Sequence, residues 1–162
     1  VVRTYKSPFV IITDNRERQP WDFNITIQRD SHPMLIEQAC VRRKLPTGDY
    51  AIEGYETQIV IERKSPGDCI QSLTQSRKRF VREFERLQEF PWSAIVVECE
   101  WSELLKICKE KTSVHPASID GTIIAFMQRY PRTHWIFRTN RYVAMKTTWK
   151  ALYRFWQEHK VP

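Results

Sequence analysis

A short charged block carries the chemistry legible in this chain. It reads Gly48-Asp49-Tyr50, then Ile61-Glu62-Arg63-Lys64, then Asp68. Strand side chains alternate faces, so Val60, Glu62 and Lys64 share one face while Ile61 and Arg63 take the other. Asp49 opens the neighbouring strand, and a hairpin brings it beside Glu62. Asp14 closes another apolar strand, Phe9-Val10-Ile11-Ile12-Thr13, and approaches from the side. The expected product is an oxygen-rich pocket with a lysine at its rim.

Phosphodiester hydrolysis needs those parts. Hard divalent cations such as Mg²⁺ prefer carboxylate oxygens and retain waters. A bound metal acidifies a water and offsets charge growing on the phosphate. Lys64 is placed to orient or deprotonate the attacking water, and Arg63 to bind a phosphate. Asp68 either orients Lys64 or Arg63, or caps the helix that follows. The competing reading is a surface hairpin with an ion pair. Glu-x-Lys on a strand is common. An apolar run before it, Gly-Asp-Tyr upstream and an acid four residues on make the combination specific.

The elements that must position these groups follow from periodicity and turn chemistry. Ala39 to Leu45 reads as a second strand. Asp49–Glu53 and Gln58–Lys64 read as a hairpin around Gly54. Pro66 to Glu89 turns helical in two pieces, with Phe80, Phe84 and Leu87 at helical spacing. Ala94–Val97 and Trp135–Phe137 are strands. Ser102–Lys109, Pro116–Tyr130 and a last segment capped by Asn140 are helices. Pro33 interrupts Ile25 to Ile36, which reads as a mobile loop. The mixture predicts an α/β domain over 1–162: a central mixed sheet flanked by helices on both faces.

On these residues the sequence resembles the nuclease domain of the XPF-type structure-specific DNA endonucleases. That family's hallmark is G-D, a variable stretch, then E-R-K-x-x-x-D. Here it stands complete as Gly48-Asp49 and Glu62-Arg63-Lys64-Ser65-Pro66-Gly67-Asp68. A D-x-R-E element is matched by Asp14-Asn15-Arg16-Glu17, and S-L-x-x-x-R by Ser72 to Arg77. The resemblance covers roughly Phe9 to Arg141.

The resemblance implies a restriction-endonuclease-like, PD-(D/E)xK core and a site using Mg²⁺, with Mn²⁺ as substitute. Asp49 and Glu62 would bind the metal, with Asp14 as a further ligand, and Lys64 would be catalytic. Glu17, Arg63 and Asp68 would complete the shell. The substrate would be branched or flapped DNA near a single-strand to double-strand junction, and the working form a homodimer or a heterodimer with a related subunit. The rivals are a non-catalytic DNA-binding scaffold subunit, and a junction resolvase or restriction-type nuclease of the same fold. Many members carry a tandem helix-hairpin-helix module; with only four Gly in the chain, none is visible.

Composition agrees with a nucleic-acid partner without proving one. Lys and Arg exceed Asp and Glu by 26 to 19, a formal charge of +7. Hydrophobic content of 41% excludes a disordered tail, and no apolar run is long enough to span a membrane. Arg77-Lys78-Arg79 opens a helix beside the site and, with Arg16, is expected to touch phosphate. Arg42-Arg43-Lys44 is a weaker candidate of that kind. Glu83, Glu85 and Glu89 read as a solvated helix face. Trp149, Tyr153, Phe155 and Trp156 read as packing, with a hint of dimerisation. His115 reads as structural.

Cys40, Cys69, Cys99 and Cys108 lack zinc-site spacing and read as buried free thiols in a reducing compartment. The chain opens on Val1 without a methionine, as a trimmed product would. Val1 to Pro8 has no apolar signal core. An intracellular location is expected: cytoplasmic if the source is prokaryotic or phage, nuclear if eukaryotic.

Overall fold

The computed structural model describes residues 2–162. Seven strands form one sheet: β1 (Arg3–Asp14), β2 (Thr26–Arg29), β3 (His32–Arg43), β4 (Tyr50–Ile52), β5 (Ile59–Lys64), β6 (Trp92–Val97) and β7 (Thr133–Phe137). Five helices accompany them: α1 (Pro66–Leu73), α2 (Arg77–Leu87), α3 (Trp101–Lys111), α4 (Pro116–Arg129) and α5 (Arg141–His159). The strand order is β2-β3-β1-β4-β5-β6-β7. β4 runs antiparallel to both its neighbours, whereas β1–β3, β5–β6 and β6–β7 are parallel. The expected mixed sheet is therefore present.

Ile25 to Ile36 is a correction. It is not a loop but the β2–β3 hairpin, with Thr26 opposite Leu35 and Arg29 opposite His32. Asp30 and Ser31 turn it at φ 50° and 63°, the left-handed pair that a two-residue hairpin requires. Pro33 does no harm there. It sits between the turn and Met34, the first residue to pair with β1. The same strand pairing extends β1 back to Arg3. An irregularity between Lys6 and Val10 accommodates Pro8, which has no N–H for a regular ladder.

Alternation along β5 divides the core. Ile59 and Ile61 face one side, where Tyr50, Ile52, Ala94 and Val96 meet Ala144, Trp149 and Leu152 of α5. Val60 faces the other side, where Ile95 and Val97 meet Phe80, Phe84 and Leu87 of α2, with α3 and α4 behind. Helices thus cover both faces. The aromatic stripe of α5 is packing, as expected: Trp149 stacks on Tyr153 at 5.0 Å and on Phe9 at 6.4 Å.

Side chains cap three of the helices. Ser65 Oγ accepts from Asp68 N, His115 Nδ1 from Ala117 N, and Asn140 Oδ1 from Val143 N. The structural role expected of His115 is that cap. Cys69, Cys99 and Cys108 are buried, but Cys40 is exposed on β3, against expectation. Among the described residues no helix is long and apolar enough to cross a membrane.

Candidate active site

The site lies at the C-terminal end of β5, where β4 begins and α2 passes over the sheet. Gly48 makes the approach possible. Its φ is +77°, and a Cβ there would lie 2.2 Å from Val60 Cγ2. Only glycine lets the backbone turn this close to β5. Asp49 follows immediately. Its N–H donates to Ile61 O at 2.8 Å, and its carbonyl accepts from Asp14 N at 2.8 Å. Its carboxylate Oδ2 accepts from Arg63 N at 2.8 Å. The acid is thus pinned against the strand that carries the rest of the motif.

Strand alternation brings Glu62 and Lys64 to the same face, as expected. Lys64 Nζ lies 3.2 Å from Glu62 Oε1 and 3.9 Å from Glu83 Oε2. It also sits 5.0 Å from the centroid of the Phe80 ring. The three charged side chains are only 12%, 13% and 14% exposed, in the order Glu62, Lys64, Glu83, so water screens them weakly. They line a cleft of about 710 Å³ together with Asp14, Arg16, Glu17, Asp49, Asp68, Arg79 and Arg86.

The cleft lining, Arg18 and Arg63 included, carries six acids and six bases, but acids dominate next to Lys64, and their carboxyl groups respond. Burial, with Glu17 and Glu83 nearby, pushes Asp49 up to about 7 despite the hydrogen bond from Arg63 N and the charge on Lys64. Burial and the charges of Asp49 and Glu83 push Glu62 well above the usual carboxylate range. Lys64 moves the other way from a buried lysine's usual habit. Burial favours the neutral amine, but Glu62 and Glu83 outweigh it and raise its pKa. Around Lys64, one ammonium therefore sits among more carboxyl groups than it can pair, which a cation would relieve.

Several other expected residues are placed differently. Arg63 also lines the cleft, but its guanidinium lies against the Glu98 carboxylate and 3.6 Å from Glu17 Oε1. Arg141 at the start of α5 joins that group, 3.3 Å from Glu98 Oε1, and its Nη2 donates to the carbonyls of Gln19 and Pro20. Asp14 is buried and accepts from Arg16 Nε at 2.9 Å, Arg16 Nη2 at 3.3 Å and Leu45 N at 2.8 Å. Burial alone would raise its pKa, but those hydrogen bonds outweigh it and hold Asp14 below the usual range. Both its oxygens are thus committed to protein donors. Arg16 is committed with it, its Nη2 also donating to Leu45 O at 2.8 Å.

Asp68 lines the cleft, but no ion pair among the described residues joins it to Lys64 or Arg63, and Ser65 rather than Asp68 caps α1. Arg77 turns away from the cleft. It contacts Thr122 Oγ1 at 3.5 Å and lies over the Phe126 ring, docking α2 on α4. Lys78 is exposed outside the cleft, whereas Arg79 lines it. Arg42 Nη2 holds the carbonyls of Asn15 and Glu17.

Glu83, Arg86 and Glu98 are members of the site region that the sequence reading missed. Glu83 carried a signal. It lies three residues after Phe80 and four before Leu87, on the buried stripe rather than the solvated face.

The donors fit a hard divalent cation. Asp49, just ahead of β4, and Glu62, on β5, are largely enclosed carboxyl groups that burial and neighbouring acids push above the usual carboxylate range. Mg²⁺ is commonly held by one or two carboxylates with waters and phosphate oxygens rather than by an all-protein cage. No group of three or more His, Cys, Asp or Glu among the described residues is gathered tightly enough to hold a metal by itself.

A mixed seven-stranded sheet with helices on both faces and an acid–lysine cleft at its centre defines a mixed α/β domain broadly consistent with the restriction-endonuclease-like folds. The chain belongs to the ERCC4 domain family, whose model matches residues 13–145. It also resembles a solved structure of XPF from Aeropyrum pernix in complex with DNA, with a TM-score of 0.64 at 18% identity. That likeness covers 95% of this chain and 68% of the other. Comparison with curated proteins gives no match. The XPF-type relationship read from the GD…ERKxxxD motif is therefore established.

Proposed function

We propose that this domain is a metal-dependent DNA endonuclease that cuts branched, flapped or junction DNA. The observation that carries the proposal is the convergence of Asp49, Glu62 and Lys64 on one cleft, within a chain of the ERCC4 family. The DNA in the Aeropyrum pernix complex supports DNA, without regard to its shape, as the substrate. Asp49 and Glu62 would hold Mg²⁺, or Mn²⁺ in its place. When bound, such an ion acidifies water and stabilises charge developing on a phosphoryl group.

The chain's own residues supply the rest. Asp49 is fixed by the Arg63 amide, so its carboxylate is oriented before anything binds. Lys64 stays protonated between Glu62 and Glu83, which suits a group that donates hydrogen bonds to a phosphate oxygen or orients a water. Arg79 and Arg86, on the cleft side of α2, supply phosphate contacts. Asp14, with Arg16, fastens the end of β1 to the segment before β4, and Arg63 fastens the outer loop. Neither is given a direct role in the reaction. The active assembly would be a homodimer or a heterodimer with a related subunit.

The test is cleavage of an end-labelled splayed-arm duplex with Mg²⁺ or Mn²⁺, mapped against a four-way junction and a linear duplex. Cutting close to the junction, lost in Asp49→Asn, is the expected result. Equal cutting by wild type and Asp49→Asn overturns the site assignment. DNA binding with neither cleavage nor calorimetric metal binding makes the chain a non-catalytic subunit instead.

A further inference from the structure

Glu83 stands where a buried apolar side chain would be expected. On α2 it lies one turn from both Phe80 and Leu87, which are 1% and 0% exposed. A carboxylate on such a stripe is costly unless something inside needs it. What it meets is Lys64, whose Nζ is 3.9 Å from Glu83 Oε2. Phe80, on the same helix, offers its ring face to the same ammonium at 5.0 Å. One turn of α2 thus supports the lysine from two directions, and among the described residues its other ion pair is with Glu62, at 3.2 Å, Asp49 lying farther off.

Glu62 must divide one negative charge and two oxygens between its partners, and its Oε1 already faces Lys64. In the proposed function it belongs to the divalent cation, and an ion bound there weakens its hold on Lys64. Lysine is a point charge on a flexible four-carbon stem and is easily mislaid. We infer that Glu83 is the positioning residue for Lys64, holding its ammonium over the cleft from α2 while Glu62 is engaged by the cation. The inference rests on the nuclease reading for its consequence, but the clamp itself is a property of the folded chain. Glu83 acts through Lys64; it is not assigned as a ligand of the metal.

The experiment compares wild type, Glu83→Gln and Lys64→Met as full chains. The side-chain ammonium signal of Lys64 is followed by ¹H–¹⁵N correlation in saturating Mg²⁺, assigned by its loss in Lys64→Met. Wild type is expected to show a protected signal that Glu83→Gln loses. In steady-state cleavage Glu83→Gln is expected to lower kcat about tenfold or more with KM within about threefold. Calorimetric Mn²⁺ affinity should also stay within about threefold. Glu83→Met, which keeps the stripe apolar, replaces the amide variant if thermal melting shows that the latter does not fold. An unprotected Lys64 signal in Mg²⁺-loaded wild type overturns the clamp. So does an unchanged kcat, or a tenfold loss of Mn²⁺ affinity, which would make Glu83 a ligand. A protected, Glu83-dependent signal in a protein that cuts no DNA upholds the clamp and overturns the nuclease reading alone.

Discussion

Two faces of one strand end behave in opposite ways. At β5, Arg63 points to one side and Glu62 and Lys64 to the other. On the Arg63 side two arginines, Arg63 and Arg141, meet two glutamates, Glu17 and Glu98. The charges balance, and the side chains also bind the outer loop. On the Lys64 side one lysine faces Asp49, Glu62 and Glu83, and the carboxyl groups are pushed towards holding protons. A balanced ionic group supports the fold. An unbalanced one stores a demand for a cation. Adjacent residues of a single motif therefore do unlike work, and the pleat of the strand separates them.

The contrast breaks most visibly in activity. Lys64→Met is expected to lower the cleavage rate by about two to four orders of magnitude, the usual range for a proton-handling or charge-stabilising group. Fluorescence anisotropy should show DNA affinity little changed. Full activity in that variant would erase the distinction between the faces.

Stability separates them next. Arg63→Ala leaves the buried Glu98 with only the half-exposed Arg141 beside it, and breaking such a buried pair costs up to about 3–5 kcal/mol. At about 2–4 °C per kcal/mol for a chain of this size, the thermal midpoint should drop by up to roughly 10 °C. A loss of a degree or less would make the Arg63 side dispensable. Asp49→Asn removes a strained charge and should do the reverse, raising the midpoint of the metal-free protein at neutral pH.

The pH dependence sharpens this. Asp49 titrates at about 7 when folded, against 3.8 for the ordinary group. Between those values the folded protein holds a proton that the unfolded chain has lost. Metal-free stability must therefore fall as pH rises through that window, and Glu62 adds to the fall. Asp14, held low, works in the opposite sense and withdraws its support only as the solution turns acid. Melting curves from pH 4.5 to 7.5 should show the decline in wild type, a shallower one in Asp49→Asn, and recovery on adding Mg²⁺. A flat wild-type profile contradicts the unbalanced group around Lys64.

The smallest effect belongs to the rim. Arg86→Ala should weaken DNA binding with little sequence dependence and reduce the salt slope by about one. Arg77→Ala, docked on α4, should leave that slope unchanged. Binding isotherms at several salt concentrations distinguish the two.

Much of this was legible in the sequence because it is local. Alternation alone placed Glu62 with Lys64 and turned Arg63 away, and the turn chemistry of Gly48 put Asp49 at the head of its strand. What failed was what depends on partners far along the chain. The ion pairs that join Arg63, at the cleft lining, to Glu17 and Glu98 could not be read from its strand alone. Arg77 resembles a phosphate ligand until α4 supplies Thr122 and Phe126. The β2–β3 hairpin hid behind Pro33 and a turn without glycine, since Asp30-Ser31 adopts left-handed angles that Asn-Gly would have announced. Glu83 was misassigned because an acid was presumed to face water, although its spacing from Phe80 and Leu87 set it on the inner stripe.

The link from Arg141 back to the carbonyls of Gln19 and Pro20 has a consequence for synthesis. It spans 122 and 121 positions of chain. On a ribosome the acids of the cleft all emerge by residue 83, and Glu98 soon after, yet the arginine that completes the outer wall, Arg141, follows only at the start of α5. The nascent chain must carry Glu98 half-compensated until α5 begins. The wall beside the cleft is therefore built after the cleft itself, so a nascent chain holds these acids well before it can close the loop that borders them.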